Sequence, residues 1–275
     1  DGHASLTATQ ETLASAAGPL PFMVKFLSAS SPLSLQVHPN DEQAERMVGK
    51  GALGKTEMWV ILGAEPGACL YNGFVEGYDG RDLAERIRQG RLLEVVHRTE
   101  VQVGDVFYIP AGRVHTIGAG LLLAEIQQSS DTTYRIDDFG RLDDQGQPRA
   151  LHLEEAISVA HCDGPGLAAH PQPLKGWPGS RLARGPYFEC NRFGLKAGEE
   201  CQRSHDGLDS PVVLMNLSGQ AVLRHRSGQR VVNGVQTLML PASDPGYTWC
   251  AETPSEWLEI YLPLPANFTN GTVLA

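Results

Sequence analysis

No apolar run in this 275-residue chain approaches the ~18 residues that a helix needs to cross a bilayer. Cysteine is scarce as well: the five are an odd number, widely spaced and without a C-x-x-C pair, a pattern typical of reduced thiols rather than of a disulfide framework. The N-terminal stretch DGHASLTATQETLASAAG lacks the basic and apolar regions of a signal peptide. The sequence therefore predicts a cytoplasmic protein without a membrane partner.

Positive charge is also in short supply, since 22 Lys and Arg stand against 32 Asp and Glu, for a net charge of −10. Binding to a phosphate backbone needs a basic face, so a nucleic-acid partner is not expected. A small phosphorylated substrate remains compatible with this charge if a few local cations form its site. Neither a GxGxxG fingerprint nor a P-loop occurs, so no nucleotide cofactor is indicated.

Short apolar runs separated by Gly, Pro and Ser predict a mainly β first half, as a sandwich or barrel. The predicted strands are 22–27, 33–38, 58–62, 101–103, 106–109, 121–127 and 134–136. Helices are predicted after Asn40, which forms a capping box with Gln43, then over 81–96 with an interruption at Gly90, and over 151–160.

The segment 163–178 is rich in Pro and Gly and is predicted to be a linker. Beyond it, predicted strands cover 187–196, 211–217, 221–225, 236–241 and 257–262. We therefore expect two β-rich domains, residues 1–165 and 166–275.

The strongest local motif is GDVFYIPAGRVH, from Gly104 to His115. Gly104 turns the chain into a strand, Pro110 and Gly112 form a tight corner, and His115 is presented on the next strand. Upstream, Gln36 and His38 are two residues apart on a strand and share one face, while Glu57 immediately precedes the next buried strand.

Four segments in order carry a family resemblance: LSLQVHPND (33–41), GKTEMWVIL (54–62), GDVFYIPAGRVHTIGAG (104–120) and LLLAEIQQSSDTTYRIDDFGR (121–141). They resemble the type I mannose-6-phosphate isomerases of the cupin superfamily, in the short bacterial subgroup. The resemblance implies a cupin jelly-roll barrel with helical insertions, followed by a second, smaller, degenerate cupin-like β domain.

By this resemblance, Gln36, His38, Glu57 and His115 are the ligands of one Zn²⁺ per chain. Two imidazoles, one carboxylate and one amide oxygen are a donor set that suits zinc. The site would keep about one positive charge, which polarises a sugar carbonyl and attracts an oxyanion.

The resemblance also implies that Arg135 lies in the active site, where its guanidinium would stabilise an enediolate. Lys55 is two residues before Glu57, and it either contacts the substrate phosphate or moves a proton. Glu125 is the preferred carboxylate for proton transfer. The alternative for Lys55 and Glu125 is a buried ion pair. Further polar residues expected near the mouth of the barrel are Asp131, Arg141 and Arg113.

The implied function is interconversion of mannose 6-phosphate and fructose 6-phosphate, in carbohydrate metabolism, through a cis-enediol intermediate. Two alternatives remain: another metal-dependent cupin enzyme, such as an iron dioxygenase, and a non-catalytic sugar-binding cupin.

For the second domain, which offers no comparable set of histidines, we expect no metal site and a packing role against the first barrel. The sequence makes no prediction of the oligomeric state.

Overall fold

The computed structural model describes residues 20–264, so the N-terminal stretch judged for a signal peptide lies outside the described residues. The chain forms two compact units, the first from Phe22 to Ala169 and the second starting, in the described part, at His170. Within residues 20–264, no helix combines the length and the apolar character needed to cross a membrane.

The first unit is built from two antiparallel sheets. Its strands are β1 (Phe22–Ala29), β2 (Leu35–Val37), β3 (Glu57–Ala64), β4 (Cys69–Phe74), β5 (Val96–Glu100), β6 (Val106–Ile109), β7 (His115–Ile117), β8 (Leu121–Gln128) and β9 (Tyr134–Asp137). One sheet has the order β1-β8-β3-β6 and the other β5-β4-β7-β2-β9. The helices are α1 (Asp41–Met47), α2 (Leu83–Arg88) and α3 (Leu153–Val159), with a 3₁₀ turn at Leu92–Glu94.

Side chains alternate between the two faces of each strand, and the apolar side chains on the facing sides of the two sheets pack together. Trp59, Ile61 and Phe107 from one sheet share a fully buried cluster with Leu70 and Ile117 from the other. The far side of the second sheet is also covered, since a separate cluster joins its apolar residues to helices α2 and α3. That cluster includes Leu35, Val37, Tyr134, Ile87 and Ala156.

The second unit repeats this two-sheet plan. Its strands are β10 (Gln172–Pro173), β11 (Gly179–Arg184), β12 (Glu189–Leu195), β13 (Glu200–Ser204), β14 (Val212–Ser218), β15 (Gln220–His225), β16 (Gly228–Asn233), β17 (Gln236–Leu240), β18 (Gly246–Ala251) and β19 (Ser255–Tyr261). The sheet orders are β10-β11-β12-β19-β14-β17 and β13-β18-β15-β16. Both units are therefore antiparallel β-sandwiches, which confirms the mainly β, cupin-like fold expected from the sequence.

The predicted capping box of α1 is present, with Asn40 accepting a hydrogen bond from the Gln43 backbone and returning one to the Gln43 side chain. The helix predicted over 81–96 is wrong in its second half. It ends at Arg88, and after the 3₁₀ turn the chain enters β5 at Val96, which pairs with Phe74. Strand pairing over a long sequence separation here outweighs the local helical pattern.

The strand predicted at 101–103 is also wrong, because these residues form the turn between β5 and β6. The backbone N–H of Gln102 donates to the Asp105 carboxylate, and Gly104 has a φ of 99°. Residues 166–169, just after the predicted boundary at 165, still belong to the first unit. Gly166 donates to the backbone of Asn72 and Ala169 to that of Val106, so the second unit starts a few residues later than expected.

Gly54, in the GKTEMWVIL segment, allows two parts of the first unit to touch. Its N–H donates to the Asp41 carboxylate at 2.8 Å, and the next residue, Lys55, bonds the Pro39 carbonyl at 3.0 Å. A Cβ on Gly54 would lie 2.5 Å from the carbonyl carbon of Asn40 and 2.6 Å from the Asp41 nitrogen. Both are backbone atoms, so the contact leaves no room for a larger residue.

We predict that Gly54→Ala lowers the free energy of unfolding by about 1–3 kcal/mol, because the added methyl group forces the backbone segments apart. The measurement is the midpoint of urea denaturation. Gly194→Ala is the matched control, since its Cβ would meet the Glu256 side chain at an ordinary 3.8 Å. Equal midpoints for both variants would show that the two segments are not held together at Gly54.

Candidate metal centre

Three buried side chains converge inside the first barrel: His38, Glu57 and His115 offer ligand atoms that all lie within 4.8 Å of one another. His38 Nε2 is 3.6 Å from Glu57 Oε2, and His115 Nε2 is 3.3 Å from Glu57 Oε1. All three side chains are almost completely removed from solvent. Among the described residues, this is the only group of three His, Cys, Asp or Glu with this geometry.

The sheet register brings these residues together from separate parts of the sequence. Gln36 on β2 lies directly opposite His115 on β7, and Glu57 opens β3 in the facing sheet. The Pro110–Gly112 corner is tied to the same place, because the Gly112 N–H donates to the His38 carbonyl at 2.8 Å. The corner and the Q-x-H segment predicted from the sequence thus meet at one end of the barrel.

Backbone carbonyls fix the tautomers of both imidazoles. His38 Nδ1 lies 2.9 Å from the Thr132 carbonyl, and His115 Nδ1 lies 2.9 Å from the Arg113 carbonyl. A carbonyl only accepts, so each Nδ1 carries the proton and each Nε2 presents a lone pair. Burial lowers the pKa of both rings, with Lys55 lowering that of His38 further, so both are neutral near pH 7. Neutral imidazoles oriented by a carbonyl are the form that binds metals.

Glu57 is the one carboxylate of the group and is fully buried. The Lys55 ammonium lies 2.7 Å from its Oε2 and 3.3 Å from His38 Nε2. Burial alone would raise the pKa of Glu57, but the neighbouring Lys55 ammonium is the main cause that lowers it to about 2. Neither carboxylate oxygen accepts a hydrogen bond of regular geometry. A buried anion with free lone pairs, facing two imidazole lone pairs, fits a divalent metal ion.

Gln36 adjoins the triad, with its side-chain amide 3.2 Å from His115 Nε2. The amide nitrogen faces the imidazole, and the oxygen accepts a hydrogen bond from the Ser34 hydroxyl at 3.0 Å. Rotation of the amide by a half turn would exchange the two atoms and offer the oxygen to a metal. Gln36 is therefore placed to be the fourth ligand, although the amide orientation found here does not use it.

Glu125 lies on β8, where its register partners are Lys25 on β1 and Trp59 on β3. Its carboxylate is 3.0 Å from the Lys25 ammonium and accepts a hydrogen bond from the Trp59 indole at 3.2 Å. Burial and the nearby Glu57 raise the pKa of Glu125 above its ordinary value. Lys55 and Glu125 do not pair with each other, but each lies in an ion pair of its own, Lys55 with Glu57 and Glu125 with Lys25.

Lys25 is a residue that the sequence analysis missed. Its ammonium also donates to the side chain of Gln127, which lies opposite Glu57 in the sheet. The signal was available, because a lysine in the apolar strand FMVKFL and a glutamine in LLLAEIQQ are both unusual in a barrel interior.

Arg135 on β9 lies opposite Gln36. Tyr134 and Ile136 pack in the outer cluster, so strand alternation places Arg135 on the same face as Gln36. Its guanidinium donates to the Ala150 carbonyl at 2.8 Å.

The same guanidinium belongs to a cluster of three arginines around the Asp138 carboxylate, with Arg135 at 3.8 Å and Arg141 at 2.8 Å. Arg149 donates to both oxygens of Asp138. The cluster has two positive charges in excess. Of the other residues expected near the mouth, Arg113 instead pairs with Asp163 at 2.6 Å, and Asp131 is exposed.

Comparison with known proteins gives consistent results. The family model for the catalytic domain of type I phosphomannose isomerase matches residues 3–60. The chain is 35% identical to a mannose-6-phosphate isomerase of Streptococcus mutans over 223 residues, which cover 80% of this chain and 68% of that protein. It is 44% identical over 139 residues to the mannose-6-phosphate isomerase ManA of Bacillus subtilis, covering 50% of this chain and 44% of that protein.

Solved structures agree in fold. The crystal structure of the mannose 6-phosphate isomerase from Bacillus subtilis superposes with a TM-score of 0.78 at 26% identity, covering 88% of this chain and 75% of that chain. A mutant of the phosphomannose isomerase from Salmonella typhimurium gives 0.72 at 17% identity, over 93% of this chain and 83% of that chain, which shows the likeness of fold alone.

We predict that His115→Ala abolishes stable metal binding, because it removes one of the two imidazole ligands and leaves the coordination of the ion incomplete. Elemental analysis after exhaustive dialysis measures the metal-to-protein ratio. His97→Ala, a half-buried histidine on β5 outside the triad, is the control and should keep its metal. Full metal content in His115→Ala would contradict this assignment of the ligands.

Proposed function

The chain belongs to the type I mannose-6-phosphate isomerase family, and we propose that it interconverts mannose 6-phosphate and fructose 6-phosphate with one bound Zn²⁺. The observation that carries the proposal is the buried Glu57, whose oxygens face two imidazole lone pairs in the first barrel. The matched segment of the chain spans about two thirds of one relative and less than half of another, so activity and substrate are proposed here for this chain.

Zinc is the metal that the donor set favours. His38 and His115 supply neutral nitrogen, Glu57 supplies a charged oxygen, and Gln36 can supply an amide oxygen after rotation of its side chain. Nitrogen with oxygen donors in a four-ligand set is typical of Zn²⁺, and the ligand count leaves room for substrate oxygens. When bound, the ion would polarise the C1 and C2 oxygens of the open-chain sugar as a Lewis acid.

The reaction moves protons between neighbouring atoms and needs no external oxidant. One proton leaves C2 of the aldose to give a cis-enediol and returns at C1, while the hydroxyl proton passes from O2 to O1. A base must accept the carbon-bound proton and hold it for return on the same face. We assign this task to Glu125, because it is a buried carboxylate near Glu57 and because burial and Glu57 raise its pKa above the ordinary value.

Lys25 and Trp59 would position that base. Each holds one oxygen of the Glu125 carboxylate, which limits rotation of the side chain. Positioned acid–base groups contribute on the order of 10²–10⁴ in rate.

Lys55 is the second candidate for proton transfer or for phosphate contact. Its ammonium shares Glu57 and His38 with any bound metal ion, so a divalent ion would repel it from both partners. The carboxylates of Glu125 and Asp131 are the other acidic groups that stabilise its charge. Lys55 would then turn toward the substrate side of the site.

Arg135 would stabilise the negative charge that develops on the enediolate oxygens. It adjoins Gln36 in the sheet, and its guanidinium is held by Ala150 and Asp138. Arg141 and Arg149 add positive charge around the same carboxylate, which makes this cluster the favoured region for the substrate phosphate. Arg135 would therefore contact the enediolate oxygens, while its neighbours Arg141 and Arg149 would contact the phosphate.

The two alternatives differ from this proposal in measurable ways. A dioxygenase of the same fold would require iron and would consume O₂, whereas the isomerase needs neither. A non-catalytic sugar-binding cupin would bind sugar phosphate without turnover. The proton-transfer groups around the triad favour an enzyme over a binding protein.

We predict that prolonged chelation abolishes isomerase activity and that one equivalent of Zn²⁺ restores it, because the Lewis acid is then missing from the reacting oxygens. The coupled assay of fructose 6-phosphate formation is followed together with the zinc content. Restoration by Fe²⁺ and not by Zn²⁺ would contradict the zinc assignment. Full turnover by metal-free protein would overturn the role of the metal.

We predict that Arg135→Ala lowers kcat about a hundredfold or more with zinc retained, because the charge it meets appears only as the enediolate forms. Arg135→Lys should recover part of the loss, since an ammonium lacks the planar fork of a guanidinium. Steady-state kinetics at several substrate concentrations separate kcat from KM.

The matched control is Arg88→Ala, which removes an exposed arginine paired with Glu154 on the helical side of the same unit. It should leave kcat and KM unchanged. If Arg135→Ala raises KM and leaves kcat intact, the residue binds the phosphate and the transition-state role passes to Lys55.

A further inference from the structure

The second barrel also contains a buried carboxylate, Glu259 on β19, and its environment is polar. Arg203 donates to both Glu259 oxygens, with the shortest contact at 2.7 Å. The Tyr247 hydroxyl donates to Oε2 at 2.7 Å, and His205 Nε2 lies 3.1 Å from the same oxygen. One end of the barrel interior is thus a hydrogen-bonded network, whereas Trp249, Trp257 and Phe193 fill the rest.

This network borders a cavity of about 310 Å³. Side chains with donors and acceptors line it, among them Arg181, Arg184, Glu189, Arg203, His205 and Tyr261. Glu189 is held by the cavity's own residues, since it accepts from the Tyr261 hydroxyl at 2.7 Å and lies 3.1 Å from Arg184 Nε. The volume is at the lower end of small-molecule sites and suits a single sugar ring.

Two buried polar atoms at this end of the barrel, Asn191 Oδ1 and His205 Nδ1, have no hydrogen-bond partner, and Arg181 Nε makes only an ion pair with Glu189 Oε1 at 3.4 Å. Arg181 and His205 line the cavity, and Asn191 donates to the Tyr261 hydroxyl at its edge. A buried polar group left without a partner costs about 1–3 kcal/mol. Their concentration beside one cavity indicates groups arranged for a ligand that both donates and accepts hydrogen bonds.

Stability alone gives no reason for this arrangement. Replacing a buried ion pair by apolar residues of similar volume is often neutral or stabilising. The barrel nevertheless keeps two carboxylates and three arginines at its polar end, next to open space, where apolar packing would close it.

The charges at the polar end balance. The three arginines are matched by three carboxylates: Glu189, which pairs with Arg181 and Arg184, the buried Glu259 behind the lining, which pairs with Arg203, and the exposed Asp206 in the lining. The cavity therefore has no excess of either sign for an ion. We propose that this cavity binds a neutral monosaccharide, whose hydroxyl groups donate to Glu189 and His205 Nδ1 and accept from Arg181. The Tyr261 side chain supplies an aromatic wall of the kind that sugars pack against. This site is separate from the metal centre and does not depend on the isomerase proposal.

The test uses the full chain carrying His115→Ala, so that binding at the metal centre does not contribute. Ligand-observed NMR titration with D-mannose, D-glucose and D-fructose should show saturable binding of at least one of them. Arg181→Leu should weaken that binding about tenfold or more, as expected for loss of a hydrogen bond from a charged donor. Arg192→Leu is the matched control, since Arg192 lies on the same sheet but pairs with Glu256 instead.

Glu189→Gln preserves side-chain volume and provides a second variant if Arg181→Leu fails to fold. It should also weaken sugar binding, because the amide replaces one acceptor by a donor. No saturable binding of any of the three sugars, or equal binding by the variants and the Arg192→Leu control, would overturn the proposal. Displacement of the sugar by inorganic phosphate would also overturn it and would identify an anion site.

Discussion

The first barrel depends on one buried charge, the Glu57 carboxylate at the start of β3. A carboxylate in an apolar interior is destabilising by several kcal/mol unless cations and hydrogen bonds compensate it. Lys55, beside it in sequence, compensates the charge of Glu57, and two other segments bring the imidazoles that face it, His38 after β2 and His115 on β7. The register of β2 with β7, the Pro110–Gly112 corner and the close packing at Gly54 all bring these groups to that carboxylate.

A second set of charged residues, beyond Glu57 and Lys55, lies on both sheets of the first barrel. Glu125 is tied to Lys25 and Trp59 on one sheet, and Arg135 is tied to Asp138 and the Ala150 carbonyl on the edge strand of the other. The two groups thus lie on opposite sheets of the first barrel. A raised carboxylate pKa on one side and an excess of guanidinium charge on the other suit a reaction that moves a proton and transiently forms an anion.

Local signals in the sequence were sufficient for much of this arrangement. Asn40 with Gln43, the Gly104 turn and the His115 corner each have a mechanism that acts within a few residues, and each is present as expected. Partners across strands were not predictable in the same way. Lys25 reaches Glu125 only because of a register set by the whole sheet, which no short segment encodes. Strand β4 was missed because Asn72 and Gly73 interrupt its apolar pattern.

The two barrels resolve the same electrostatic problem in different ways. Glu57 and Glu259 are both fully buried carboxylates on strands with a neighbour on each side, and both have a pKa lowered to about 2 against the effect of burial. Glu259 receives a guanidinium fork, a phenol and an imidazole, so its lone pairs are already used. Glu57 has the Lys55 ammonium to compensate its charge, while the two imidazole nitrogens that face it carry lone pairs of their own, so its coordination is incomplete. A metal ion therefore gains ligands at Glu57 and would have to displace Arg203 at Glu259, which is the physical reason to expect the metal in the first barrel.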